Sequence, residues 1–273
     1  MTVETLTAEI QHSVDAVDFE RRFGGVRRLY GEAGLARLRA AHVCVIGIGG
    51  VGSWAAEALA RNAIGHITLI DLDHIAESNV NRQLHAVEGE FGKAKVTAMA
   101  ERIWSINPGC QVHQVEDFVT VENVATMLDN KPDVVLDAID DARAKVALAA
   151  YCRKQKLSLV MTGGAGGRLD PTRIKTADLA QVAGDRLLAK VRNSLRRDHG
   201  FPRASVNAKK APAKFGIPCI YSDEPVIRPD AACDMENESL SGLNCAGYGS
   251  TVCVTAPFGM AAAAASLHLL LKP

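Results

Sequence analysis

The chain has 273 residues, 48 % of them hydrophobic, and 31 basic residues balance 31 acidic ones for a formal net charge of +0. That length and apolar content exclude a disordered or low-complexity protein and suit one large α/β domain, or a domain with an appendage. The balanced charge excludes a basic field over the whole protein, though not a local basic patch.

Seven cysteines, at 44, 110, 152, 219, 233, 245 and 253, include no C-x-x-C pair. Neither a zinc site nor a disulfide framework is expected, and a reducing cytoplasm is the simplest setting. The first residues, with Glu4 and Glu9, lack the charged-then-apolar pattern of a leader.

Residues 1–17 show little pattern. From Asp18 to Leu38 the chain is rich in arginine: Arg21, Arg22, Arg27, Arg28 and Arg37. Two readings stay open: a solvated helical face, or an arginine reaching a phosphate site, its own or a partner subunit's.

Val43–Ile46 is a short apolar run of the kind that forms a buried parallel strand. Gly47, Gly49 and Gly52 follow at G-x-G-x-x-G spacing with Gly50 extra, and Trp54, Ala55, Ala58 and Leu59 recur at helical spacing. Gly65 is expected to cap that helix. A second strand, Ile67–Ile70, ends in Asp71, 19 positions past Gly52. Glycines let the backbone close on a phosphate at a helix start, and an acid at the end of the second strand takes ribose hydroxyls. In this strand–helix–strand setting the pattern is strong for nucleotide binding.

The polar stretch HIAESNVNRQLHA holds Asn79, Asn81, Arg82 and Gln83 just past the carboxyl end of that strand, where ligands of parallel sheets bind. In GKAKVTAMAERIWSIN, Val96, Met99, Ala100 and Ile103 share a helical face. Lys93 and Lys95 stand at its N-terminal end, the wrong end for a cation, which hints at a bound anion. Strands are expected over Gln111–Val115, Asp133–Ile139, Leu157–Thr162 and Arg173–Thr176. Asp140 and Asp141 close the second of these; Asp141 suits a helix cap and Asp140 has no such easy role.

Composition changes near Asp178. Nine basic residues fall between Arg186 and Lys214 against one acid, Asp198, and an acidic stretch follows from Asp223 to Glu238. The window reads either as an exposed helix and loop or as a nucleic-acid surface, with Arg192, Arg196, Arg197, Lys209 and Lys210 as the RNA-contact candidates. The apolar run Thr251–Leu271 is long enough to span a membrane. Pro257 after the strand-like TVCVT, the many alanines and His268 favour a buried strand followed by a buried helix.

The Gly loop with Asp71, the loop with Arg82, and Lys95 with Asp140 together suit attack on an ATP α-phosphate. Cations stabilise the phosphoryl oxygens and a carboxylate holds Mg²⁺. GIGGVGS, DLD, SNVNRQ, GKAKV and LDAIDD resemble the ubiquitin-activating (E1-like) superfamily, which includes the ThiF- and MoeB-type adenylating enzymes. RRFGGVRRLYGEAGL, LVMTGGAGGRLDPTRI and NCAGYGSTVCV look more narrowly like the tRNA threonylcarbamoyladenosine dehydratase family.

The resemblance implies a Rossmann-like doubly wound α/β domain: a mostly parallel sheet with helices on both faces and an irregular C-terminal extension. Within a single domain, 18–176 would be the nucleotide-binding core, 177–250 a basic then acidic substrate-facing insertion, and 251–273 a final strand and helix. It implies ATP and Mg²⁺ without zinc, with Gly47, Gly49, Gly50 and Gly52 cradling phosphates. Asp71 would bind ribose, Asp73, Asn79 and Gln83 would lie beside the nucleotide, Arg82 and Lys95 would grip phosphates, and Asp140 would hold Mg²⁺. The catalytic set would be Arg82, Lys95 and Asp140.

It further implies a cytoplasmic homodimer, a tRNA substrate, no membrane and a sulfur-transfer partner. The superfamily's N-terminal arginine finger aligns with Gly25, leaving Arg22, Arg27 or Arg28 to substitute. Cys245 is the best candidate for a thiol role, against the simpler reading of an incidental cysteine. The rival activity is adenylation of the C-terminal glycine of a sulfur-carrier protein. An NAD-dependent oxidoreductase has no use for Arg82, Lys95 and Asp140, and a nucleotide-sensing scaffold would tolerate their loss.

Overall fold

The computed structural model describes residues 18–203, 213–227 and 248–272. Its centre is a seven-stranded sheet of order β3-β2-β1-β4-β5-β7-β6. The strands are β1 (His42–Ile46), β2 (His66–Ile70), β3 (Gln111–Val115), β4 (Val134–Asp137), β5 (Ser158–Thr162), β6 (Ile174–Asp178) and β7 (Pro218–Ser222). All neighbours pair in parallel except β6 with β7. The helices are α1 (Phe19–Ala40, kinked at Gly31), α2 (Gly52–Arg61), α3 (Lys95–Ile106), the short α4 (Val124–Met127), α5 (Ala142–Gln155), α6 (Arg186–Asp198) and α7 (Val252–Leu271).

β1, β2, β4 and β5 are nearly continuous apolar runs because both sheet faces are covered. One core joins Val43, Val45, Leu69, Leu59, Met99 and Phe258 beneath α2, α3 and α7; the other joins Cys44, Ile46, Leu148, Leu188 and Leu195 beneath α5 and α6.

Four sequence expectations change. TVCVT is not a strand: Thr251 caps α7, accepting from the Cys253 N–H at 3.3 Å, and the helix runs unbroken to Leu271. Pro257 falls in its second turn, where it forgoes one backbone bond, and burial of Val254, Phe258, Ala262 and Leu267 overrides local β propensity. α7 is long and apolar enough to cross a membrane, and its Val254, Phe258, Ala262, Ala263 and Leu267 side chains belong to the buried core. Gly259 of α7 sits against the Val51 carbonyl and the Trp54 side chain, leaving no space for a Cβ.

The stretch 177–250 is not simply an insertion, because β7 enters the sheet between β5 and β6. Gly65 does not cap α2, which ends at Arg61 with Asn62 as its cap. Its lack of a side chain lets the Arg39 carbonyl pass where a Cβ would lie. The acids Asp223 and Glu224 are structural: Asp223 pairs with Arg173 and Lys175, and Glu224 accepts from the Leu169 and Asp170 N–H groups.

Candidate active site

Strand order reverses between β1 and β4, and a cavity of about 390 Å³ opens at the carboxyl ends there. Its walls include five strand exits: Gly47, Gly49, Gly50 and Val51 after β1, Asp71 and Asp73 after β2, Asp117–Val119 after β3, Ala138–Asp141 after β4, and Thr162–Gly166 after β5.

Gly47 turns the chain at φ +85°, a conformation that favours glycine. A Cβ on Gly52 would land on the Gly47 carbonyl oxygen, so Gly52 is required for the tight turn although it does not line the cavity. Asp71 is buried and holds this loop: its carboxylate accepts the Ile48 N–H at 2.6 Å and the Asp73 N–H at 2.9 Å. Burial pushes the Asp71 carboxyl above its usual range, against the opposing pull of Lys95.

Arg82 lies on a loop stitched to two helices. Its backbone carbonyl accepts from Trp54 Nε1 of α2 at 3.1 Å and from Thr255 Oγ1 of α7 at 3.4 Å. Beside it, Asn81 Nδ2 donates to the Ser250 carbonyl at 2.8 Å. The Arg82 guanidinium donates to the Ser78 carbonyl and to Asn81 Oδ1. Burial lowers its pKa and the Asp140 charge opposes that shift. Gln83 is buried in the cavity wall, and its Oε1 has no hydrogen-bond partner among the described residues.

Lys95 is the first residue of α3 and points into the cavity, 2.6 Å from the Asp73 carboxylate. Lys93 does not join it; it pairs with Glu90 and Glu101. Asp140 lines the cavity, whereas Asp141 also caps α5 through the Ala144 N–H at 2.8 Å. Of the expected nucleotide-binding residues, Asn79 falls outside the lining: its Oδ1 accepts the Ala76 N–H and shapes the Arg82 loop instead.

Other parts of the site have no counterpart in the sequence reading. The GGAGG turn is a cavity wall, held by Asp185, which accepts the Gly164 N–H at 2.9 Å while capping α6. Beneath the Asp140 turn lies a fully buried ion pair, Asp137 with Lys145 at 2.9 Å. An aspartate within the apolar run VVLD and a lysine among the apolar positions of α5 were its available signals. Burial raises the Asp137 pKa and the Lys145 charge opposes it.

The N-terminal arginines divide. Arg22 donates to the Ser105 and Ile106 carbonyls at the end of α3, and Arg27 pairs with Glu20 and Glu32. Arg28 is exposed and makes no hydrogen bond or ion pair among the described residues. The RNA-contact candidates on α6 are anchored to their own chain. Arg192 donates to the Val182 carbonyl, Arg196 donates to the Pro202 carbonyl and stacks over Phe215, and Arg197 pairs with Asp198. Lys209, Lys210 and Cys245 lie outside the described residues.

The ThiF family pattern matches residues 24–273. The chain is 48 % identical over 257 residues to the Haemophilus influenzae tRNA threonylcarbamoyladenosine dehydratase, covering 93 % of this chain and 95 % of that protein. It is 47 % identical over 259 residues to the Escherichia coli enzyme of the same name, covering 93 % and 94 %. The crystal structure of that E. coli enzyme in complex with ATP superposes with a TM-score of 0.81 at 47 % identity, covering 93 % of this chain and 96 % of that one. Its complex with AMP superposes equally well. A glycine-turn cavity at the sheet's switch point, ringed by Arg82, Lys95 and Asp140 and matched over nearly the whole chain, places this protein in the ThiF family.

Proposed function

We propose that this chain is an ATP-dependent tRNA threonylcarbamoyladenosine dehydratase that adenylates a carboxylate beside the anticodon and closes a ring on it. The observation that carries this reading is the convergence of the Gly loop, Arg82, Lys95 and Asp140 on one cavity, in a chain whose full-length relatives bear that name.

The carboxylate of the threonyl group is a poor electrophile. Its oxygen attacks the α-phosphorus of ATP, forming a P–O bond as the bond to pyrophosphate breaks. Arg82 and Lys95 offset charge that grows on the phosphoryl oxygens, and the Gly47–Gly52 amides cradle the phosphates. Asp71 orients the ribose. A nucleophile of the same modification then attacks the acyl carbon, and AMP leaves with the carboxylate oxygen. The net change is loss of one water.

Among the described residues no group of three or more His, Cys, Asp or Glu side chains is placed to hold a metal. Asp140, a carboxylate on the cavity wall, would hold Mg²⁺, and the ion would neutralise phosphate charge. A symmetric homodimer rests on the family resemblance, and in it exposed Arg28 would be the arginine able to reach the partner's phosphates. The tRNA substrate puts the enzyme in the cytoplasm, and a sulfur-transfer partner rests on the family resemblance. The test is nucleoside mass analysis of bulk tRNA from cells with and without the gene. The dehydrated nucleoside should vanish with the gene; its persistence would overturn the reading.

A further inference from the structure

A second cleft of about 810 Å³ shares Val119, Asp140, Asp141 and Ala144 with the nucleotide cavity. Three exposed cations line it: Arg143 at the start of α5, and Arg186 and Lys190 one turn apart on α6. None of the three makes a hydrogen bond or ion pair among the described residues. The other α6 arginines are held by their own chain, as described above. Thus the α6 cations without an internal role are those that face this cleft.

The acids of the same lining are otherwise engaged. Asp141 caps α5, Asp140 lies in the field of Arg82, and Glu122 is hydrogen-bonded to Thr120, which holds its carboxyl below the usual range. Where cleft and cavity meet, Phe118 is 53 % and Val121 66 % exposed. Their loop is fixed rather than slack: Asn123 donates to the Phe118 carbonyl and accepts the Thr120 N–H, each at 2.7 Å.

We propose that this cleft receives the anticodon loop of the tRNA substrate, with Arg143, Arg186 and Lys190 on its phosphates and Phe118 under a base; the proposal rests on the functional reading above. A carboxylate that attacks the α-phosphorus must come within about 3.5 Å of it. The RNA carrying it must therefore lie against the wall of the nucleotide cavity, and this cleft shares that wall. Unengaged cations suit phosphates, and an exposed ring suits a splayed base.

The test uses the full chain, ATP and tRNA carrying threonylcarbamoyladenosine. In Arg143→Gln/Arg186→Gln/Lys190→Gln, three lost single-strand phosphate contacts should flatten the log–log salt slope by about 2. Affinity at low salt should fall at least tenfold, KM for tRNA should rise with kcat largely kept, and ATP binding by calorimetry should not change. Phe118→Ala should weaken tRNA binding without altering the slope. Lys131→Asn/Lys154→Gln/Lys156→Asn removes the same charge before β4 and β5, at the amino ends of the strands and opposite the cleft, and should bind as wild type does.

Wild-type affinity and slope in the first variant, or an equal loss in the third, overturns the cleft assignment while wild-type turnover keeps the functional reading. A wild-type chain that leaves the tRNA unchanged overturns both. Pyrophosphate exchange driven by a sulfur-carrier protein's C-terminal glycine and indifferent to tRNA would put a protein tail in the cleft, against the proposal.

Discussion

The Lys95 ammonium lies 2.6 Å from the Asp73 carboxylate, with the lysine side chain 6 % exposed and the aspartate 54 %. A cation at a helix N-terminus opposes the helix dipole, and Asp73 compensates it. Asp73 faces water, and the buried Asp71 carboxylate, though it loses the pull of Lys95, keeps the Ile48 and Asp73 N–H groups when the lysine is removed. Lys95→Ala should therefore fold normally and lose about 10²–10³ of turnover, the scale of a missing transition-state donor. Arg82→Ala and Asp140→Ala should do the same. Pyrophosphate release measures all three, and wild-type rates in any two would contradict the adenylation chemistry.

The Asp137–Lys145 pair should behave oppositely, as a matter of stability. Both side chains are fully buried, and Asp137 also accepts the Ile139 N–H at the root of the Asp140 turn. Lys145→Met leaves a buried carboxylate uncompensated and should cost about 3–5 kcal/mol, whereas Asp137→Leu/Lys145→Met should recover most of it. Denaturant midpoints decide this; a double variant as unstable as the single one would refute it.

Acid sensitivity follows from His85. It is 5 % exposed, and its two ring nitrogens have no hydrogen-bond partner among the described residues. Burial, aided by the Lys95 charge, lowers its pKa from 6.5 to about 4. Between those values the unfolded chain binds a proton that the folded chain does not, so stability rises with pH across that window. The contribution is intact above pH 6.5 and lost as pH falls toward 4, at most about 3 kcal/mol. His85→Gln should flatten that part of a stability–pH curve, and an unchanged slope would contradict the assignment.

The tight turn itself can be tested. Gly52→Ala places a methyl on the Gly47 carbonyl oxygen and 3.3 Å from the Ala138 side chain. It should destabilise by about 1–3 kcal/mol, as overpacking does, and weaken ATP binding at least tenfold by calorimetry. Binding at wild-type affinity would mean the loop cradles no phosphate.

The parts of this fold that were legible in the sequence are those encoded locally. Gly47, Gly49, Gly50 and Asp71 follow from one strand–turn–helix–strand pattern, and Arg82, Lys95 and Asp140 stand out as polar groups at strand and helix ends. The structure gathers them in one cavity. What stayed hidden depends on distant contacts. β7 is five residues long and enters the sheet out of chain order. TVCVT reads as a strand until burial against α2 and the sheet makes it helical. The basic window looked uniform because sequence does not reveal that Arg192 and Arg196 are held by carbonyls, while Arg186 and Lys190 face the cleft.

The most direct test of dehydration by adenylation is a single reaction: purified chain, ATP and tRNA bearing threonylcarbamoyladenosine, followed by nucleoside mass together with AMP and pyrophosphate. Each converted nucleoside should be lighter by one water and matched by one AMP and one pyrophosphate, with no conversion when NAD replaces ATP. Nucleotide cleavage that leaves the nucleoside mass unchanged, or loss of water without AMP, would contradict the mechanism.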